Sequence, residues 1–319
     1  MSEPHDPRSR RDTLKLLGAA GLIAAASPLA GAQSATASSA PTAPARTNPG
    51  FYTLPVGAYR AIVLSDGQSA PGPALPNWGA NPELQDQFVA ALRENFLDPA
   101  QYINNFNPML IDTGNERVLI DTGRGATQGR LLANLAAAGY APADITTVFL
   151  THGHGDHIGG VTTSGALTFP NARLVMGETE FNSWASQAQP NAAVQANLIA
   201  LKDRFTLVGE GASIVPGVTT VPAYGHTPGH LAVHVDNGGA SLLHLADAGG
   251  HYVLSFQFPG QYLGFDMDKA QAAATRARLF DQLATDRTMV VGYHFAWPGV
   301  GYVQRAGNAY RYVPAFQVL

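Results

Sequence analysis

The chain has no cysteine among its 319 residues. Disulfide bonds therefore cannot cross-link the fold, and any bound metal must be held by imidazoles and carboxylates rather than by thiolates. Charged residues are also scarce, at 13% of the chain, and the formal net charge is −4. Because nucleic-acid binding normally needs a basic surface, we expect no nucleic-acid partner.

Long apolar runs are missing as well. The mildly apolar stretch near the N-terminus, residues 16–30, is rich in glycine and alanine. It is shorter than the roughly 20 apolar residues that a membrane-spanning helix needs, so no stable membrane anchor is expected. In contrast, 45% of the whole chain is hydrophobic, which is ample for a buried core.

The N-terminus resembles a twin-arginine export signal. Arg10 and Arg11 precede the apolar stretch, and Ala30-Gly31-Ala32 is a small-residue cleavage site, although Thr13 stands where such signals usually carry phenylalanine. We expect residues 1–32 to be a signal peptide that is recognised by the twin-arginine export machinery. Cleavage after Ala32, or later, would leave a periplasmic or secreted protein.

The next segment, residues 33–50, is rich in Ser, Thr, Ala and Pro and is predicted to be a disordered linker. From residue 51 onward, short strand-like runs alternate with stretches of helical periodicity. Such alternation favours two packed β-sheets flanked by helices. The clearest predicted helices are residues 82–97, 128–138 and 269–284, and the clearest strands are residues 59–64, 107–111, 118–120, 145–150 and 289–292.

The stretch Thr151-His152-Gly153-His154-Gly155-Asp156-His157 contains four potential metal ligands within six residues. It follows a β-branched and apolar run that suits a buried strand. If the chain stays extended through His152 and His154, both imidazoles point to one side, while the glycines permit a turn that carries Asp156 and His157 to a second point. This spacing favours two adjacent metal sites.

The pattern His-x-His-x-Asp-His after a strand resembles the signature of the metallo-β-lactamase superfamily. Other motifs between about residues 51 and 313 are similar to the branch that contains methyl parathion hydrolase: Ser65-Asp66-Gly67, Asp112-Thr113-Gly114, Asp121-Thr122-Gly123, the run from Gly225 to His230, Ala246-Asp247, and His294 with Trp297-Pro298-Gly299. The resemblance implies an α/β fold, the αββα sandwich of two mixed β-sheets flanked by helices. It also implies that residues 51–319 form one hydrolase domain.

The same resemblance implies two divalent metal ions, and zinc is the metal expected for so many imidazoles. By motif match, the first ion would bind His152, His154 and His226, the second would bind Asp156, His157 and His294, and Asp247 would bridge them. Spacing favours His226 over His230 as the ligand. Hydrogen bonds to a ligand or to bound water are expected from Asp121, His230 and, with a weaker case, Asp66.

These motifs imply a hydrolase in which a hydroxide shared by the two ions attacks the substrate, with Asp156 and Asp247 as its catalytic residues. The missing cysteine argues against class B1 and B2 β-lactamases, and Asp247 argues against class B3. The expected substrate is an uncharged small molecule, a lactone or carboxylic ester first. Phosphotriester cleavage would be promiscuous, because the loop after Gly123 is shorter than in methyl parathion hydrolase and lacks its aromatic residue.

Two further residues, Trp184 and His251, are predicted to line the substrate pocket. Two other functions stay open. One is a thioesterase that resembles glyoxalase II, although no separate C-terminal helical region for glutathione binding is visible in the sequence. The other is a non-catalytic metal-binding protein of the same fold.

Overall fold

The computed structural model describes residues 50–315. The predicted signal peptide and all but the last residue of the predicted linker lie outside the described residues, as do residues 316–319. The proposed domain boundaries therefore stay a prediction. Among the described residues, no helix combines the length and hydropathy needed to cross a membrane.

The strands, in chain order, are β1 (Phe51–Val56), β2 (Tyr59–Leu64), β3 (Met109–Asp112), β4 (Arg117–Ile120), β5 (Thr147–Leu150), β6 (Thr162–Thr163), β7 (Ala166–Leu167), β8 (Arg173–Gly177), β9 (Phe205–Val208), β10 (Ser213–Val215), β11 (Val218–Pro222), β12 (Leu231–Asn237), β13 (Ala240–His244), β14 (Met289–Val291), β15 (Val300–Ala306) and β16 (Ala309–Pro314). The α-helices are α1 (Gln85–Glu94), α2 (Leu131–Ala137), α3 (Gly155–Ile158), α4 (Glu178–Ala185), α5 (Ala192–Asn197), α6 (Leu254–Gln257) and α7 (Lys269–Asp286).

Two seven-stranded sheets contain most of these strands. The first has the order β1-β2-β3-β4-β5-β8-β9 and the second the order β10-β11-β12-β13-β14-β15-β16. In the first sheet β1 to β4 pair antiparallel, and β4, β5, β8 and β9 run parallel. In the second sheet only the β13–β14 pair is parallel. Both sheets are therefore mixed, as predicted.

Three apolar layers hold the sandwich together. The faces of the two sheets meet in a central layer that includes Ile111, Phe149 and Val233. Side chains that alternate with these along the first sheet, such as Val148, pack outward against α2, α4 and α5. On the far side of the second sheet, α7 packs its buried stripe against β12, β13 and β14. The predicted αββα sandwich is confirmed.

Strand β5 shows why the run before the metal motif is apolar throughout. All four of its residues are buried, since Val148 faces the outer helical layer and Phe149 faces the central layer. A strand covered on both faces needs apolar side chains at every position rather than at alternate ones. Its carboxyl end then delivers Thr151 and His152 to one edge of the sandwich.

Candidate metal centre

The motif after β5 changes conformation at His154. That residue is still extended, with φ −69° and ψ 149°, and it directly precedes the short helix α3. His152 and His154 therefore lie on the extended part, while Asp156 and His157 lie on the helix. The predicted change of direction between the two pairs of ligands is a helical turn.

Four side chains form a first group. Potential ligand atoms of His152, His154, His226 and Asp247 all lie within 4.8 Å of one another. The Nδ1 atom of His154 is 3.0 Å from His152 Nε2 and 3.0 Å from His226 Nε2. Asp247 Oδ2 is 3.2 Å from His226 Nε2. Three imidazole nitrogens and one carboxylate oxygen thus converge on one point.

A second group contains Asp156, His157 and His294. Its side chains also approach Asp247, but at the other carboxylate oxygen: Oδ1 is 3.1 Å from His157 Nε2 and 3.3 Å from His294 Nε2. Asp247 therefore presents one oxygen to each group. The structure brings all seven predicted ligands together.

The residues fit two divalent cations. Among the described residues, the buried atoms His157 Nε2 and Asp247 Oδ1 have no hydrogen-bond partner. Buried polar atoms are normally paired, because an unpaired one costs free energy. Nitrogen and oxygen donors without thiolate suit zinc and similar divalent ions, and a cation at each point would satisfy both atoms.

Electrostatics differ between neighbouring histidines. Burial is the main cause that lowers the pKa of His152, and the nearby His157 lowers it further. The lowered pKa keeps the ring of His152 in the neutral form that binds metal. Burial also opposes charge on His226, but the carboxylates of Asp247 and Asp266 outweigh it and raise the pKa of His226 to about 9. Negative charge is thus concentrated around this cluster of imidazoles.

Asp121 contacts His157, one of the predicted ligands. Its Oδ2 lies 2.8 Å from His157 Nδ1, and the same carboxylate accepts hydrogen bonds from the main chain and hydroxyl of Thr151. Asp121 is fully buried, and its φ of 63° lies in the left-handed region that non-glycine residues rarely adopt. The strained backbone aims the carboxylate at the metal motif.

His230 also touches the centre. Its Nδ1 donates to the Ala223 carbonyl at 3.0 Å, so Nε2 is free to accept a hydrogen bond, at 3.4 Å, from the Asp247 main-chain N–H. His230 thus hydrogen-bonds the backbone of Asp247 rather than either group of predicted ligand atoms. Both of its ring nitrogens already have a main-chain partner.

Asp66 hydrogen-bonds a neighbouring loop rather than a predicted ligand. Its carboxylate accepts hydrogen bonds from the main-chain N–H groups of Arg124 and Leu131, each at 2.8 Å. These bonds fix the loop that follows Gly123 and satisfy an N–H in the first turn of α2. Asp66 therefore organises a loop beside the centre and contacts none of the predicted ligands.

Asp266, which orients His226, was not among the residues predicted from the sequence. Asp266 Oδ1 lies 2.9 Å from His226 Nδ1, and its Oδ2 accepts from the guanidinium of Arg276 at 3.2 Å. Arg276 is fully buried on α7 and also donates from Nε to the Ala248 carbonyl at 3.0 Å. One signal was present: Arg276 interrupts the otherwise apolar buried stripe of that helix.

Glu180 on α4 is a second residue that the sequence did not reveal. Its fully buried carboxylate accepts four hydrogen bonds, from Gly153 N, Trp184 Nε1, Thr227 Oγ1 and Gly229 N. Gly153 lies between two ligands of the first group, and Thr227 follows the third. Glu180 therefore joins the two loops that carry those ligands.

The segment before β3 holds His294. The Asn105 carbonyl lies 2.9 Å from His294 Nδ1, and the Asn107 amide donates to the carbonyls of Gly292 and Phe295 on either side of His294. These contacts join residues about 190 positions apart in the sequence, for example 189 positions in the bond to Asn105. Nothing local in the sequence marks them.

A cleft of about 290 Å³ opens over the two groups. It is lined by Trp78, Asn104, His154, Gly155, Asp156, Asp247, Phe265 and His294. Phe265 is 45% exposed and packs edge-to-face on the largely buried Trp78, with 5.8 Å between ring centroids. Two aromatic walls that the sequence did not single out thus stand beside the predicted ligands.

The two residues predicted to line the pocket lie elsewhere. Trp184 is buried behind His154, with 5.4 Å between ring centroids, and its indole donates to Glu180. His251 is fully buried, stacks on Tyr102 and accepts at Nδ1 from the Val253 main chain. Both side chains support the loops around the centre and neither belongs to the lining of the cleft.

A larger cavity of about 560 Å³ lies beside β15 and β16. Its lining includes several aromatic side chains, among them Tyr252, Phe256, Trp297 and Tyr312. None of the seven predicted ligands lines it, so its size alone does not make it the reaction site. The smaller cleft is the one that has reactive groups at its base.

Comparison with known proteins identifies the fold and its relatives. The sequence profile of the metallo-beta-lactamase superfamily matches residues 107–291, more than half of the chain. An N-acyl homoserine lactonase of Bacillus cereus is 24% identical over 185 residues, which cover 54% of this chain and 70% of the relative. Metallo-beta-lactamase domain-containing protein 1 of Mus musculus is 32% identical over 140 residues, 42% of this chain and 52% of the relative.

Solved structures resemble the chain over more of its length. AidC, a dizinc quorum-quenching lactonase solved with the product N-hexanoyl-L-homoserine, is 26% identical with a TM-score of 0.78 and covers 85% of this chain and 99% of its own. The hydrolase AbOPH of the beta lactamase superfamily is also 26% identical, with a TM-score of 0.75 and the same coverage.

Proposed function

Because this chain belongs to the metallo-beta-lactamase superfamily, we propose that it is an exported binuclear hydrolase that cleaves an uncharged ester, with a lactone as the first candidate. The prediction of a metal-dependent hydrolase is confirmed by its relatives and structural neighbours. The substrate, the export and the identity of the metal as zinc are the parts proposed here.

One observation carries the proposal: Asp247 presents its two oxygens to two separate groups of ligand atoms at the base of an aromatic cleft. Two divalent ions, when bound, lower the pKa of coordinated water to about 7 and polarise a carbonyl oxygen. Asp156 is partly exposed to the same cleft. Trp78 and Phe265 provide apolar contact for an uncharged substrate and exclude water from one side.

Several observations support a lactone. The Bacillus cereus relative is an N-acyl homoserine lactonase, and the AidC structure contains a product of lactone opening. The described part of the chain places no lysine or arginine in the lining of the cleft to pair with an anionic substrate. N-hexanoyl-homoserine lactone is therefore a suitable first test compound, and zinc, the metal of AidC, is a suitable first metal.

The chain also resembles the methyl parathion hydrolase branch, and the proposal therefore includes phosphotriester cleavage as a promiscuous activity. The paired Asp-Thr-Gly motifs and the binuclear ligand set support it. Trp184, where that branch has a pocket tryptophan, lies behind His154 instead. This placement favours ester or lactone cleavage as the main activity.

The test is a substrate screen of purified protein whose metal content has been measured. We expect kcat/KM to be highest for a lactone, lower for aryl esters and lowest for phosphotriesters, and we expect chelation to abolish all three activities until zinc is restored. Asp247→Ala protein provides the background rate. A preference for thioesters would favour a glyoxalase II-like function. Protein with two bound ions and no hydrolysis of any substrate would favour a non-catalytic metal-binding role.

A further inference from the structure

Asn104 occupies an unusual place in the cleft. The lining contains four predicted metal ligands, one glycine and the aromatic residues Trp78 and Phe265. Among the described residues of the lining, Asn104 alone has a side-chain carboxamide. A carboxamide both donates and accepts hydrogen bonds without carrying charge, which makes it suited to an uncharged polar partner.

The main chain around Asn104 is firmly held. Its carbonyl accepts from the Ser69 main-chain N–H at 2.8 Å, and its own N–H donates to the Ser69 hydroxyl at 2.9 Å. The next residue, Asn105, contacts His294 through its carbonyl. The backbone of Asn104 is therefore fixed relative to the centre by contacts that do not use its side chain.

The side chain itself has an unpaired polar atom. Asn104 Oδ1 is buried and has no hydrogen-bond partner among the described residues. Leaving such an atom unpaired costs stability, so a residue needed only for the loop would gain from an apolar side chain at this position. The carboxamide has a donor end and an acceptor end, so exchanging the two ends of the amide would still leave a polar atom at this position without a partner among the described residues.

We propose that Asn104 is a specificity-determining residue whose carboxamide hydrogen-bonds an amide group next to the scissile ester of the substrate. An amide offers the donor and the acceptor that complement a carboxamide, and the cleft lining offers no cation for a charged substituent. Trp78 and Phe265 then flank the apolar part of the same substrate. This inference rests on the proposed function, because it assigns a substrate feature to that site.

The experiment compares two lactones on zinc-loaded enzyme. One is N-hexanoyl-homoserine lactone, and the other is α-heptyl-γ-butyrolactone, whose side chain has the same number of chain atoms but no amide. We expect wild-type enzyme to prefer the first. Asn104→Ala should reduce that preference about 10-fold, mainly by raising KM, because a hydrogen bond made equally in the ground and transition states changes KM rather than kcat.

Two controls separate this role from a structural one. Ile103→Ala changes an exposed neighbour that is not in the lining and should leave the preference unchanged. Asn104→Leu keeps the size of the side chain and removes its hydrogen bonds. It should therefore reduce the preference as Asn104→Ala does, even if the smaller alanine loosens the loop. Elemental analysis should find unchanged metal content in Asn104→Leu protein.

The outcomes distinguish this inference from the proposed function. If wild-type enzyme opens the lactones and both Asn104 variants keep the wild-type preference, the inference is overturned while the proposed function stands. A loss of metal together with equal losses of kcat on both lactones, in both variants, would also overturn it, since that pattern indicates a structural role. If metal-loaded wild-type enzyme opens neither lactone, the lactonase proposal fails and takes the inference with it.

Discussion

Two histidines in one short turn, His226 and His230, illustrate how far a motif can assign roles to single residues. Spacing favoured His226 as the ligand. In the structure its Nε2 faces His154 and Asp247, and Asp266 orients the ring from the other side. Both ring nitrogens of His230 form hydrogen bonds with main-chain groups. The assignment of His226 rather than His230 as the ligand stays a prediction, and the different contacts of the two rings allow it to be tested.

We predict that His226→Ala empties the first site, leaving about one ion per chain, because it removes a direct ligand. His230→Ala should keep close to two ions and lose about 10- to 100-fold in activity, the usual effect of removing a group that orients a ligand. Elemental analysis and kcat/KM measure both effects. His234→Ala, on β12 and away from the centre, is the matched control. Greater metal loss for His230→Ala would reverse the assignment.

Asp247 is the one predicted ligand that approaches both groups of side chains. Because one of its oxygens faces each group, Asp247→Ala should lower the metal content of both sites and remove most activity. Asp236→Ala, an exposed aspartate on β12, should change neither. Elemental analysis of the two variants beside wild type, in which we expect about two ions per chain, checks the prediction. Near-normal turnover by Asp247→Ala enzyme would show that the bridging role is misassigned.

At the scale of elements, the sequence predicted the positions of helices better than their ends. The helix expected at residues 82–97 is α1, Gln85–Glu94, with a 3₁₀ turn before it, and the one expected at residues 269–284 is α7, Lys269–Asp286. Strands β1, β15 and β16 were not predicted. β1 contains Pro55, β15 and β16 are half exposed, and β16 is the edge strand of its sheet, so their apolar patterns are weak.

Helix α7 contacts the residues around the candidate metal centre, a role that its amphipathic pattern does not reveal. Arg276 supports Asp266, and although burial opposes ionisation, His226 and Arg276 lower the pKa of Asp266 and keep it a carboxylate. The same guanidinium donates to the carbonyl of Ala248, next to Asp247. One buried arginine thus links a helix to two of the predicted ligands.

From this arrangement we predict that Asp266→Asn weakens metal binding at the first site about 10- to 100-fold, because the neutral amide no longer holds His226 in the correct tautomer. The second site should be unaffected. Competition with a chromophoric chelator measures the two affinities separately. Asp268→Asn is a matched control two residues away: Asp268 caps α7 by accepting from Gln271 N, and asparagine caps a helix equally well. Equal weakening in both variants would contradict the prediction.

At the scale of the whole molecule, short sequence motifs predicted the metal-binding chemistry. The surroundings of the predicted ligands depend on contacts between residues that are distant in the sequence. The ligand motif, the Asp-Thr-Gly turn at Asp121 and the turn around His226 are all short patterns, and the structure brings their side chains together. The residues that contact these predicted ligands through hydrogen bonds are distant in the sequence: Asp266 lies 40 positions from His226, and Asn105 lies 189 positions from His294. Main-chain carbonyls and lone loop residues leave no pattern in a single sequence, and the cleft walls Trp78 and Phe265 were missed for the same reason.

The proposed export concerns the whole chain and does not depend on the candidate metal centre. Arg10 and Arg11 lie in residues 1–49, outside the described residues, whereas all seven predicted ligands lie between residues 152 and 294. Twin-arginine translocation, which the N-terminal segment resembles, carries folded proteins. A chain that needs two metal ions could then acquire them in the cytoplasm before export.

We therefore predict that changing Arg10 and Arg11 together to Lys retains active, metal-loaded enzyme inside the cell, since the change conserves charge and leaves the described fold untouched. Cell fractionation should find the activity in the cytoplasm, and mass spectrometry should find an intact N-terminus on the retained protein. Arg8→Lys, which alters a neighbouring arginine outside the pair, should be exported and processed normally. If the double variant is exported at the wild-type level, with its N-terminus removed near Ala32, the protein leaves the cytoplasm by another route and the twin-arginine interpretation is wrong.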